Sequence, residues 1–102
     1  MRWQRRVARE LAPLNLTLMQ WLVLDTTNAL ITETGDAVSQ QAIATRLEID
    51  KMTVSHAMRA LNNLALVDRG PDFLYCAWRI WVTKKGIDVL EEGRKRVACV
   101  SA

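Results

Sequence analysis

SQQAIATRLEIDKMTVSHAMRALNNLAL, residues 39–66, reads as two helices joined by a three-residue turn. Ser39 is a good N-cap, and Ile43, Ala44 and Leu47 follow it at helical spacing. Glu48-Ile49-Asp50 breaks that pattern, with Ile49 as an apolar plug and Asp50 as a second N-cap. Val54, Ala57/Met58, Leu61 and Leu64 then mark one apolar face, while Lys51, Met52, Thr53, Ser55, His56, Arg59 and Asn62/Asn63 lie opposite. The pattern is that of a helix-turn-helix, in which a short positioning helix precedes a longer one able to lay polar side chains in a DNA groove. An ordinary helical hairpin with a solvated polar face has the same periodicity, so the flanks decide between them.

Upstream, residues 2–12 place Trp3, Val7 and Leu11 on one stripe with arginines elsewhere, and Pro13 ends the segment. Thr17-Leu18-Met19-Gln20 is a capping box, which predicts a helix carrying Trp21, Leu22 and Leu24 to about Ile31. Residues 32–37 read as a loop around Gly35-Asp36, with Ala37-Val38 as a very short strand. Downstream, Leu66 to Arg69 is β-prone, and Gly70-Pro71-Asp72 is a turn signal. Trp78/Ile80/Val82 alternate with Arg79/Trp81, the period of a half-buried strand. Two strands joined by a loop directly after the second helix make a wing. Thr83 then caps a last helix with Ile87, Leu90, Val97 and Ala98 on its apolar face. The fold class expected is mainly α with a small β-wing (α+β): a winged helix-turn-helix. It forms a single domain over residues 1–102, with a core at 14–83 and terminal helices at 2–12 and 84–100 for dimerisation.

The 102 residues are 50% apolar and 25% charged, ordinary for a globular domain. No run of about 18 apolar residues exists, and the basic N-terminus lacks the apolar stretch of a secretory signal. Those two features point to the cytoplasm and away from a membrane partner. Cys76 and Cys99 fit neither a disulfide framework nor a metal site, and no cofactor motif is present. The net charge of +3 is unevenly spread. Residues 11–50 carry −4, whereas residues 51–82 and 83–102 carry +2 each, so the second helix of the hairpin opens a positive half of the chain, as phosphate binding requires.

Taken in order, these segments resemble the MarR family of bacterial winged-helix transcriptional regulators. LNLTLMQWLVL (14–24) is similar to the family's gLT–x–x–Q/a–x–x–vL entry to its second helix. Residues 39–69 are similar to tQ–x–x–LA–x–x–L–x–x–dk–x–TVs followed by Le–x–x–gLv–x–R, and VTKKGIDVLEEG (82–93) to the LT–x–x–G–x–x–l junction after the wing. The resemblance implies a homodimer with intertwined terminal helices, a palindromic double-stranded DNA site, repression as the mode of action, and a small phenolic or aromatic effector. It also implies a longer region than the residues that follow Thr83 here, so a rearranged dimer interface is expected. A dimer also follows from the two apolar stripes, Trp3/Val7/Leu11 and Ile87/Leu90/Val97, which a chain of this size would struggle to bury alone. Three positions depart from the family. Glu48 replaces the turn glycine and suggests a different turn geometry. His56 stands where Arg is common after TVS. The family's wing carries an Asp-x-Arg motif whose Arg enters the minor groove, whereas residues 70–78 here contain no cation.

The candidate DNA contacts follow from these placements. Thr53 and Ser55 can donate to phosphates or bases, and His56 and Arg59 can reach purine N7 or phosphate, with Lys51 beside them. Met52 either packs on a thymine methyl or is a hydrophobic bystander. Ser39, Gln40 and Gln41 open the positioning helix, where backbone N–H groups and the helix dipole favour phosphate. Arg69 and Arg79, at the two ends of the wing, either grip flanking phosphates or form weak cross-strand pairs with Asp68 or Asp72. The run FLYCAW (73–78) either folds back onto the domain or a second subunit, or meets a partner protein, or inserts as an apolar wedge. A redox role for Cys76 has only Arg79 nearby in sequence to lower a thiol pKa. The four tryptophans either line an aromatic pocket or fill the core. An enzyme is not expected: there is no catalytic residue set, phosphate loop or metal spacing, and His56 has no nucleophile partner in sequence. The alternative function is a winged-helix protein-interaction module that has lost strong DNA binding, suggested by the uncharged wing and the low net charge.

Overall fold

The structure is a computed structural model that describes residues 2–72 and 77–101; at 2, 3, 71, 72, 77, 78 and 99–101 the description extends to the backbone alone. In chain order it comprises α1 (Arg2–Leu11), α2 (Leu18–Thr34), β1 (Val38–Ser39), α3 (Gln40–Leu47), α4 (Lys51–Asn63), β2 (Val67–Asp72), β3 (Ala77–Val82) and α5 (Lys84–Ser101). The order is that of a winged helix-turn-helix flanked by two terminal helices.

Local chemistry sets the boundaries. Pro13 sits in a single 3₁₀ turn, Ala12–Leu14, that stops α1, and Asn15 closes it in the left-handed region. The capping box forms as its sequence predicts: the Gln20 N–H donates to Thr17 Oγ1 at 3.2 Å, and the Thr17 N–H donates to Gln20 Oε1 at 3.0 Å. From there α2 runs on to Thr34, past the Ile31 expected, because Gly35 at φ +71° supplies the terminating left-handed residue. Trp21, Val23, Leu24, Thr27 and Leu30 are all buried along it. They occupy more than one face of the helix, so α2 is enclosed by α1 and α5 on one side and by α3, α4 and the sheet on the other. Thr27 satisfies its buried hydroxyl by donating to the Val23 carbonyl at 2.7 Å.

The sheet has the order β1-β3-β2, antiparallel throughout. Val38 pairs with Ile80, and Val67 with Val82. Gly70-Pro71-Asp72, read from sequence as the wing's turn, continues β2 instead and pairs with residues 77–79. A proline is tolerated there because β2 is an edge strand whose outer N–H groups have no ladder partner to lose. The expected strand at Ala37-Val38 is β1, shifted by one residue. Residues 73–76, and with them most of the FLYCAW run and Cys76, lie outside the described residues.

The terminal helices pack on each other within the chain. Val7 and Leu11 are fully buried and Leu90 is 1% exposed. These three positions therefore belong to the chain's own core and are not open to a second copy, contrary to the expectation that one chain could not cover both stripes. Each helix supplies the other's cover. Ile87 (42% exposed) and half-buried Val97 remain nearer the surface, and the Trp3 side chain lies outside the described residues. Arg96 of α5 links the pair through Glu10 of α1 at 3.8 Å and also bonds Glu92 on its own helix at 3.1 Å, and Arg94 reaches Asp25 of α2 at 3.0 Å.

Two glycines permit close approach. A Cβ at Gly93 would lie 2.3 Å from the Trp21 ring, and one at Gly86 would lie 2.1 Å from the Leu66 carbonyl oxygen. Gly86 is the glycine of the VTKKG motif, so the motif records where α5 starts against the backbone leading into β2. Two further turns, like that at Asn15, use non-glycine residues in the left-handed region: Glu48 at φ 56° and Ala65 at φ 60°. Glu48 thus makes its turn in the region a glycine adopts most easily, at a conformational cost. Two predictions follow from these backbone positions. Glu48→Gly and Ala65→Gly should each raise stability by up to about 1 kcal/mol, read as higher urea midpoints with unchanged slope. Gly86→Ala should lower stability by about 1–3 kcal/mol in the same measurement, because a carbonyl cannot rotate away as a side chain can.

Candidate nucleic-acid interface

The turn between α3 and α4 is built from caps. Ser39 Oγ accepts from the Ala42 N–H at 3.2 Å and starts α3. Glu48 closes α3, and the Ile49 N–H donates back to Ala44 at 3.1 Å. Asp50 then starts α4, accepting from the Thr53 N–H at 3.1 Å and from the Thr53 hydroxyl. The hydrogen bonds from Thr53, side chain first and backbone second, hold the Asp50 carboxyl below its usual range. On α3's other flank, the Arg46 guanidinium is bound to Glu33 of α2 at 2.6 Å, and this hydrogen bond is the main reason the Glu33 carboxyl also lies below its usual range. Both partners are about half exposed, so the pair ties the helices together without adding much stability.

α4 divides cleanly. Val54, Ala57, Met58 and Leu61 are buried against the core. Met52, His56, Arg59 and Asn63 are exposed and, at intervals of four, three and four residues, form one stripe along the opposite side. Lys51 is exposed beside it and Ser55 is half-buried. Of the residues expected to face DNA, Lys51, Met52, His56 and Arg59 are therefore presented together, with Ser55 at the edge. Thr53 is half-buried with its hydroxyl proton given to Asp50, so it can accept but has no proton left to donate to a phosphate. Gln41 is exposed on the first turn of α3, its amide donating to Thr45 at 3.3 Å, and Gln40 is half-buried.

The two wing arginines lie on adjoining rungs of the β2–β3 pair. Arg79 pairs in register with Ser39 on one side and Gly70 on the other, which puts it at the root of the wing beside the start of α3. Its Nη1 donates to the Ala37 carbonyl at 2.7 Å, tying β3 to the loop before α3. Arg69 lies opposite Ile80 on the adjoining rung and is half-buried. Both belong to the part of the wing nearest the domain.

Sequence reading missed the neighbours of this surface. Thr17, Met19 and Gln20 at the start of α2 face Thr53, His56 and Ala57 of α4 across an open cleft of about 220 Å³. Thr17 and Gln20 were legible only as a helix cap, because the contact depends on how α2 and α4 pack. Trp81 was read as one half of an alternation and, with the other tryptophans, as a pocket or core residue. It is 45% exposed on the sheet's outer face, its ring within 3.3 Å of where a Cβ on Gly70 would stand. Trp21, in contrast, is core. Among the described residues, no cluster of three or more His, Cys, Asp or Glu could hold a metal, and no helix is long and apolar enough to cross a membrane.

These elements define a winged-helix protein whose second hairpin helix offers an exposed polar stripe. The comparisons with known proteins narrow the class. A MarR-family transcriptional regulator from Rhodococcus sp. RHA1 superposes with a TM-score of 0.85 at 21% identity, covering 97% of this chain and 67% of that one. The DNA complex of MepR from S. aureus gives a TM-score of 0.75 at 25% identity, covering 90% and 64%. In sequence, the uncharacterized HTH-type transcriptional regulator YdcH of Bacillus subtilis (strain 168) is 31% identical over 67 residues, which is 66% of this chain and 45% of that protein. No family model matches the chain. The chain has the winged-helix fold of the MarR-family transcriptional regulators. It spans about half the length of the curated relative it matches.

A carboxyl with a lowered folded-state pKa stabilises the fold while it is ionised. The contribution of Asp50 is thus complete above its ordinary value of 3.8 and is lost as pH falls through the lower folded-state value. Asp50→Asn keeps an effective cap but removes the titration. Between about pH 5 and pH 2, the urea midpoint should fall less steeply for Asp50→Asn than for the wild type; parallel curves would mean that Asp50 carries no such linkage.

Proposed function

We propose that the chain is a sequence-specific DNA-binding transcriptional regulator that places α4 in the major groove. The single observation that carries this is the exposed stripe of α4, where Lys51, His56 and Arg59 stand clear of the core on a helix held from behind by α2, α3 and the sheet. A rigid helix with cations and hydrogen-bonding groups on its outer face supplies both elements of DNA recognition, phosphate attraction and base-edge contact. Ser39, Gln40 and Gln41 at the start of α3, with Arg79 beside them, are suited to a flanking phosphate. Arg69, on the next rung, extends that side of the surface.

The protein acts in this reading as a homodimer on a palindrome, since two copies of α4 related by a twofold axis meet major grooves about one helical turn apart. The exposed arginines of α1 (Arg5, Arg6, Arg9) and the exposed acids of α5 (Asp88, Glu91, Glu92) give complementary surfaces for a second copy, and Ile87 of α5 is exposed as well. Repression follows from occupancy of a promoter site, and the place of action is the cytoplasm. A small aromatic effector lodged in the cleft between α2 and α4 would contact Thr53 and His56 and compete with DNA for the same helix.

The test is selection of bound fragments from a random DNA pool, followed by titration of the selected site. Specific binding should weaken steeply with salt. Lys51→Ala combined with Arg59→Ala should reduce affinity by about 1–3 kcal/mol per subunit and lower the salt slope of the dimer by about 4. Absence of any selected sequence at low salt, or unchanged affinity in the double variant, would overturn the assignment of α4.

A further inference from the structure

We propose that Met52 is a specificity-determining residue that reads the C5-methyl group of one thymine in each half-site, an inference that rests on the DNA-binding function above. Met52 lies in the first turn of α4 and is 67% exposed, more than Met19, Trp81 or Ile87, the other large apolar side chains at the described surface. The helix cannot turn it inward, because Val54, Ala57, Met58 and Leu61 already fill the buried face.

Its neighbours are not apolar. Lys51 precedes it, and His56, Arg59 and Asn63 continue its stripe, all exposed. A protein partner's apolar contact calls for a contiguous patch, which this stripe does not provide. What the stripe does fit is a polyanion that presents a single apolar group among hydrogen-bonding ones. In the major groove that description matches thymine, whose methyl is the only apolar substituent on any base edge. The first residues of a recognition helix are also those that approach base edges most closely. The thioether chain, flexible and polarizable, can cover such a methyl without a fixed hydrogen-bond geometry. The Thr53 bonds to Asp50 hold this first turn in place, so Met52 is presented at a defined position.

Replacing thymine by uracil removes the methyl and nothing else, and this separates the contact from all other readout. On the selected site, uracil is introduced at one thymine per half-site in turn. At one position the substitution should weaken wild-type binding about three- to five-fold per half-site, the size expected for one methyl group removed from water. Met52→Ala should bind the thymine and uracil sites equally at that position, whereas Met52→Leu should restore the difference. His56→Ala should still discriminate. With a cytosine·guanine pair at the same place, 5-methylation of the cytosine should strengthen binding for wild type but not for Met52→Ala. Circular dichroism melting checks that the variants keep the fold. A uracil effect of the same size in wild type and Met52→Ala at every position would overturn the inference while leaving the DNA-binding reading intact. Failure to select any site would overturn both.

Discussion

Burial of α2 on more than one side is the constraint on which the other elements depend. A helix with Trp21, Val23, Leu24, Thr27 and Leu30 all inside cannot lie at a surface, so it must be covered from two directions. One cover is the α1–α5 pair, locked by the fit of the Trp21 ring against Gly93, where no side chain could stand. The other is the hairpin of α3 and α4 with the three-stranded sheet. The outward aim of the Met52 stripe follows, because α4 has only one apolar face to give to α2 and must present the rest to solvent.

The hairpin reaches that aim through short-range chemistry. Ser39 and Asp50 start its two helices, and Glu48 makes the turn in a left-handed conformation that a glycine would adopt at less cost. Ile43 and Ala44 of the first helix and Val54 and Met58 of the second are buried in the core on either side of that turn. Asp50 also engages the Thr53 hydroxyl, so one candidate DNA donor is spent on shaping the helix that carries the others.

Legibility in the sequence followed the range of the forces involved. The caps at Thr17, Ser39, Asp50 and Thr83 depend on three or four consecutive residues and were all readable. The split of α4 into a buried and an exposed face was readable for the same reason, since periodicity is local. Gly70-Pro71-Asp72 has the composition of a turn, yet it is strand, because its fate depends on pairing with residues 77–79 and on β2 being an edge. Likewise the stripes of Val7/Leu11 and Leu90 were visible, but not that they would meet one another across more than seventy residues of chain. That Arg79 stands beside the start of α3 depends on its register with Ser39, forty residues away in sequence, which no local pattern shows.

The junction at Leu66 has a mechanical consequence. The Thr83 N–H donates to the Leu66 carbonyl at 3.1 Å, the Thr83 hydroxyl donates to the Ala65 carbonyl at 2.7 Å, and the same hydroxyl accepts from the Gly86 N–H at 3.0 Å. These bonds clamp the start of α5 to the chain just beyond the end of α4, so the two helices share a pivot. A 13-residue helix is about 20 Å long. A rotation of about 10° at that pivot displaces Lys51 and Met52, at the opposite end, by about 3 Å, roughly the spacing between stacked base pairs. The clamp thus holds one end of a lever whose other end is the first turn of α4, although none of its own atoms lies near that end.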